Sequence, residues 1–247
     1  MGTRQCKKRR LEQLEKSINN LNNGEQEDAK IEKLDFAKIR IGLLGDTEVG
    51  KTSIVKSLIE GEFDSECLPT IGLDKFEKKH CLDGGKEIKL IVWDTSGQER
   101  FRSIALKALK HIDGFVLVFD VTNKQSFDNL VDWISIIRTN FLNPIVILCG
   151  NKTDIDIEEW KVGRREIERL AIHENCKYFE ISAKNSDGIV DGFTYLVNKI
   201  YDTKIKNIMD YWLSKNIYND SHVNIAYRKV ELNYWNFRYD KYIYWAQ

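Results

Sequence analysis

Short apolar runs recur through the middle of the chain, separated by stretches in which apolar and polar positions follow a helical spacing. IRIGLL at 39–44, IKLIVW at 88–93, GFVLVFDV at 114–121, PIVILCG at 144–150 and KYFEIS at 177–182 are too short for buried helices. Each predicts a strand covered on both faces. Most of the gaps hold amphipathic stretches that predict helices, among them SFDNLVDWISIIR at 126–138 and VGRREIERLAIHE at 162–174. LDGGKE at 82–87 differs, because Asp-Gly-Gly is a hairpin signal. It joins an edge strand at about 72–80 to the strand ending at Trp93. The pattern predicts an α/β fold: a mostly parallel six-stranded sheet, one antiparallel edge strand, and helices on both faces. Ligands of such sheets sit at the carboxyl ends of the strands.

The pattern stops on either side of 37–204. Residues 1–36 are charged and apolar-poor, opening with KKRR at 7–10. Leu11, Leu14, Ile18 and Leu21 follow a three-four spacing before NLNNG at 20–24 ends it, so the segment reads as a short partner-binding helix or a mobile arm. Residues 205–247 form an aromatic-rich extension that lacks the composition of disorder. Its rings at Trp235, Phe237 and Tyr239 alternate, with Ile243 and Trp245 in phase. A packed edge strand, an interfacial membrane contact and an incidental extension all suit that pattern.

Charge narrows the partners. Lys+Arg and Asp+Glu stand at 38 each in 247 residues, so nothing in the balance points to nucleic acid. Five scattered cysteines without a CxxC pair argue for a reducing compartment and against a disulfide frame or a zinc site. No apolar run has the length of a membrane span and no apolar signal peptide opens the chain. The expected setting is the cytoplasm or the cytosolic face of an endomembrane.

Three motifs fall in order on successive strand ends. GDTEVGKT at 45–52 follows the first strand and precedes a helix, fitting G-x-x-x-x-G-K-[ST] in its required context. There the glycines let backbone amides turn inward on a polyphosphate, and the helix adds the positive end of its dipole. Glu48, Val49, Gly50, Lys51, Thr52 and Ser53 are the candidate phosphate-binding residues, with Lys51 supplying a point charge and Thr52 a hydroxyl for Mg²⁺. VWDTSGQER at 92–100 ends a strand in Asp94, a candidate metal ligand. It continues to Gly97, whose amide can reach a γ-phosphate, and to Gln98, which can orient the attacking water. NKTD at 151–154 and SAK at 182–184 supply base-reading candidates: Asn151, Lys152, Asp154, Ser182, Ala183 and Lys184. A carboxylate such as Asp154 accepts from the N1–H and N2–H₂ of guanine. Adenine lacks that donor pair and would leave the carboxylate unsatisfied.

With PTIGLDKF (69–76), KLIVWDTSGQERFRSI (89–104) and VFDVTNKQSFDNLVDWI (118–134), the central region resembles a Ras-superfamily GTPase, most of all the Rab family. The resemblance implies the G-domain form of the P-loop NTPase fold and a small monomeric GTPase that slowly converts GTP to GDP. It implies that Thr70 completes the magnesium shell and joins Gln98 and Lys51 in catalysis, and that Phe63 packs on the guanine. It further implies switch segments at 62–76 and 95–110 that bind an exchange factor, a GTPase-activating protein and effectors, in a molecular switch of vesicle trafficking. A GTP-binding scaffold with little hydrolysis and a Ran-like nuclear-transport switch are the alternatives.

The chain departs from that family's pattern in four places. Glu48 brings a carboxylate to the phosphate loop, where it is expected to point to solvent. Cys67 replaces a frequent tyrosine over the γ-phosphate, implying a more open site. ALKALKHI at 105–112 lacks the expected tyrosines, and the cysteines that receive C-terminal prenyl groups are absent. Membrane association is therefore expected through acylation of Gly2 or Cys6, or through a partner, rather than through prenylation. With Thr47 beside the γ-phosphate and no internal arginine finger in evidence, a partner is expected to supply the missing cation.

Overall fold

In a computed structural model of the chain, the described residues are 38–61, 70, 72–82, 87–95, 109 and 111–214, with side chains as far as Lys206. Six strands run in chain order: β1 Lys38–Leu44, β2 Leu73–Cys81, β3 Glu87–Thr95, β4 Gly114–Asp120, β5 Ile145–Asn151 and β6 Lys177–Glu180. They form one sheet in the order β2-β3-β1-β4-β5-β6. Every neighbouring pair is parallel except β2 and β3, which pair antiparallel from Leu73↔Thr95 to Cys81↔Glu87. The expected architecture is therefore present, down to the single antiparallel edge.

The period of two along the strands sorts the core into two layers. Ile39, Ile41 and Leu43 of β1, with Val116 and Val118 of β4, pack against helices α1 (Lys51–Glu60) and α5 (Ile189–Ser214). Phe115, Leu117 and Phe119, the alternate positions of β4, pack on the opposite face. There they meet α3 (Leu130–Asn140) and α4 (Arg164–His173). All seven residues of β4 are buried, as a strand covered on both sides requires.

One helix differs from its sequence pattern. The stretch expected to be continuous over 126–138 is divided into α2, Lys124–Asp128, and α3, with Asn129 between them. The Asn123 side chain caps α2 by accepting from the backbone amides of Gln125 and Ser126. Asn129 keeps helical angles (φ −71°, ψ −10°), but its side chain is drawn to another part of the molecule. The final helix, α5, continues to Ser214, through the compositional boundary at 204. Segments 1–36 and 215–247, with their proposed acylation sites and ring pattern, lie outside the described residues.

Parallel pairing lines up the strand ends. Leu43 of β1 is opposite Asp94 of β3, and Asp120 of β4 is opposite Asn151 of β5. The loops that carry the three sequence motifs thus leave the same end of the sheet.

Candidate functional site

Between β1 and α1 the chain turns through residues 45–50. Gly50, at the N-cap of α1, has φ 93°, a left-handed conformation that L side chains rarely adopt. A Cβ there would lie 2.3 Å from Asn151 Nδ2, so a side chain would add backbone strain and displace the Asn151 amide. No side chain caps α1. Its first-turn amides and dipole therefore face the loop, a built-in attraction for an anion. Val49 is buried, Ser53 is half-buried, and Glu48 is exposed with φ 65°, in line with a carboxylate turned to solvent.

Lys51 is buried beneath this loop. Its ammonium donates to the Gly45 carbonyl at 2.9 Å and the Asp46 carbonyl at 2.6 Å. Burial pushes its pKa down to about 8, against the pull of nearby Asp94 and Asp46. An incoming phosphate would add counter-charge beside this buried cation.

Beside it, Thr52 donates to Asp94 Oδ2 at 2.5 Å, and its hydroxyl oxygen lies 2.7 Å from that of Thr70. The Thr70 hydroxyl is also 3.2 Å from Asp94 Oδ2. Asp94 is fully buried, and its Oδ1 has no hydrogen-bond partner. Burial raises its pKa, while the Thr52 hydroxyl and Lys51 oppose the shift. An orphaned buried carboxylate oxygen beside two hydroxyls suits a hard divalent cation. One protein carboxylate, with the remaining positions left to phosphates and water, is the Mg²⁺ style of binding. Among the described residues no group of three or more His, Cys, Asp or Glu forms a metal cage.

The second half of the site hangs from β5 and β6. Asn151 Nδ2 donates to the Val49 carbonyl at 2.8 Å, and Asn151 Oδ1 accepts from the Ala183 amide at 3.0 Å. One side chain thus ties the 45–50 loop to the 182–184 loop. The Asp154 carboxylate accepts from the Ser182 hydroxyl at 2.7 Å, and Lys184 Nζ lies 3.6 Å from its other oxygen. Lys152 has φ 69° and places its ammonium 2.5 Å from Asp120 Oδ2. Asp120 Oδ1 is taken by the backbone amide and hydroxyl of Thr122.

The geometry thus brings Lys51, Thr52, Thr70 and Asp94 together on one side, and Asn151, Lys152, Asp154, Ser182, Ala183 and Lys184 on the other, with Asn151 between. Phe63, Gly97, Gln98 and Cys67 lie outside the described residues.

A family model described as the Ras family matches residues 40–202, which takes in nearly all of the sheet, all these loops and about half of α5. The chain belongs to the Ras family. Among relatives, Ras-related protein Rab-39A of Mus musculus is 36% identical over 184 residues, covering 71% of this chain and 84% of the relative. Ras-related protein Rab-27A of Rattus norvegicus is 36% identical over 190 residues, covering 72% and 86%. A "Probable Rab-related GTPase" of Acanthamoeba polyphaga mimivirus is 37% identical over 175 residues, covering 70% and 81%. This Ras-family chain is thus a small GTP-binding GTPase that resembles Rabs.

Two residues of this Ras-family site escaped the sequence reading. Asp120 is the last residue of β4 and Asp94 the last but one of β3, and that position near a strand's carboxyl end was the available signal. Asp46 sits at a variable position of its motif and gave none. Both of its carboxylate oxygens are held by side chains from the α2–α3 region.

Proposed function

We propose that the protein binds GTP and GDP with Mg²⁺ and hydrolyses GTP slowly, as a molecular switch in vesicle trafficking on the cytosolic face of a membrane. The observation that carries this reading is the Thr52–Thr70–Asp94 cluster with its unpartnered buried oxygen. Thr52 and Asp94 stand on fixed elements, α1 and β3, whereas Thr70 lies in the proposed switch segment 62–76. A cation shared among them would tie that segment's position to the phosphates, the property a nucleotide switch needs.

In this reading Thr52, Thr70 and Asp94 hold Mg²⁺, which when bound offsets negative charge on the phosphates. Lys51 and the amides of residues 48–53 take the phosphates, and the Gly97 amide meets the γ-phosphate. Gln98 orients the water. Asp154 reads the guanine N1–H and N2–H₂, the Ala183 amide donates to the guanine carbonyl oxygen, and Phe63 packs on the ring. Lys152 lays its stem along the base while Asp120 holds its ammonium. Trafficking rests on the likeness to Rabs.

The test is competition for a fluorescent GDP analogue on purified full-length protein, with and without EDTA, followed by single-turnover GTP hydrolysis. GTP is expected to displace the probe and ATP to fail. EDTA is expected to speed release, and cell extract to accelerate a slow hydrolysis. Equal competition by ATP, or release indifferent to EDTA, would overturn the assignment of the site.

A further inference from the structure

Asp46 is the second residue of the proposed phosphate loop, and its carboxylate accepts hydrogen bonds from α3 and the residue before it. Oδ2 accepts from Asn129 Nδ2 at 2.6 Å, and Oδ1 accepts from Trp133 Nε1 at 2.9 Å. The Asn129 amide is itself oriented, because its Oδ1 accepts from Gln125 Nε2 at 2.8 Å. Trp133 is buried in the layer formed by β4, β5, α3 and α4, so its N–H is a fixed donor rather than a swinging one. Through its main chain the same Asp46 offers the carbonyl that accepts Lys51 Nζ at 2.6 Å.

Two rigid donors on one carboxylate leave the Asp46 residue little freedom to turn. Hydrogen bonds to an ionised acceptor are about twice as strong as neutral ones. They also keep a negative group engaged with α3, in a loop that must admit a polyphosphate. A freed Asp46 carboxylate would repel that anion and compete with it for Lys51, whose ammonium already feels Asp46.

We propose that Asn129 and Trp133 are positioning residues of the phosphate site, acting through Asp46, so that α3 sets the lifetime of bound nucleotide. The inference rests on reading residues 45–53 as the phosphate loop. It assigns a role to the interruption between α2 and α3, since Asn129 at that junction reaches 83 residues back to the loop.

The experiment measures dissociation of a fluorescent GDP analogue from the full-length chain, in parallel with melting temperature and the preference for GTP over ATP. Asp46→Asn presents an amide to donor groups and is expected to speed release about ten-fold, the scale of one lost charge-assisted hydrogen bond. Asn129→Asp sets two carboxylates against each other and is expected to do at least as much. Combining the two restores a donor–acceptor pair with its polarity reversed, and is expected to bring release back to within about three-fold of the parent. Base preference is expected to stay unchanged throughout. Should Asp46→Asn fail to fold, Asn129→Ala at a half-exposed position reads the same contact. The inference is overturned by unchanged release in the single variants, or by no recovery in a folded double variant. Failure of the unsubstituted protein to hold GDP would instead sink the phosphate-loop reading itself.

Discussion

Asn151 reaches 102 residues back to Val49 and 32 forward to Ala183 with a single amide. Replacing it with Ala leaves a buried carbonyl and a buried amide without partners, each costing about 1–3 kcal/mol. Asn151→Ala is therefore expected to lower unfolding free energy by about 2–6 kcal/mol in urea melts and to weaken GDP binding at least ten-fold. Loss of stability without loss of affinity would show that the two loops need no common tie. At this scale the sequence was an uneven guide. Lys51, Thr52 and Asp94 were legible because their motifs fix a spacing along the chain. The Asp46 contacts were not, since their partners lie 83 and 87 residues away and obey no local pattern. Asn151 was legible as a member of NKTD but not in its bridging geometry, which exists only once β1 and β5 share a sheet.

Among the elements, the strands were the most legible, because a run buried on both faces has a composition that no exposed helix shares; β6, expected to be covered on both faces, has no buried residue because it ends the sheet. The interruption at Asn129 was not, as its residues suit one continuous helix and the interruption coincides with a tertiary contact. Helix α1 shows how local chemistry sets an end. Gly61 closes it at φ 74°, its amide donating to the Ser57 carbonyl at 3.0 Å, with nothing within 4 Å of where a Cβ would stand. Gly61→Ala therefore meets no clash and only the left-handed backbone penalty. It is expected to cost about 1 kcal/mol in urea unfolding, and Gly61→Asn less. A neutral Gly61→Ala would show that the helix end relaxes freely.

Across the whole molecule the two ends of the sheet have different duties. The carboxyl ends of the strands carry the proposed nucleotide site. At the amino ends, Asp113 Oδ2 accepts from the Arg40 amide at 2.9 Å and from Lys204 Nζ at 3.0 Å, and Lys204 also donates to the Lys38 carbonyl. The Asp113 side chain is 4% exposed and that of Lys204 15%, so solvent screens this pair weakly. Asp113→Ala removes the carboxylate paired with a largely buried ammonium and is expected to cost about 3 kcal/mol of stability. GDP affinity is expected to stay within about two-fold, because the site lies at the far end of the strands. A matching fall in nucleotide affinity at a temperature where the variant is fully folded would refute the division of duties.

Among the described residues β2 is one margin of the sheet, and its charges bear on how copies of the molecule meet. Lys75 and Lys89 both pair with Glu77 and hold its pKa at about 2, so that carboxylate stays ionised in all but strong acid. An antiparallel approach of two such margins centred on Glu77 would set Glu77 against Glu77 and Lys75 against Lys79, and like charges directly opposite are repulsive. The opposite margin, β6, is only four residues long. That register is disfavoured by the charges of β2, and β6 has few residues to pair, two features that limit edge-to-edge growth at the described margins.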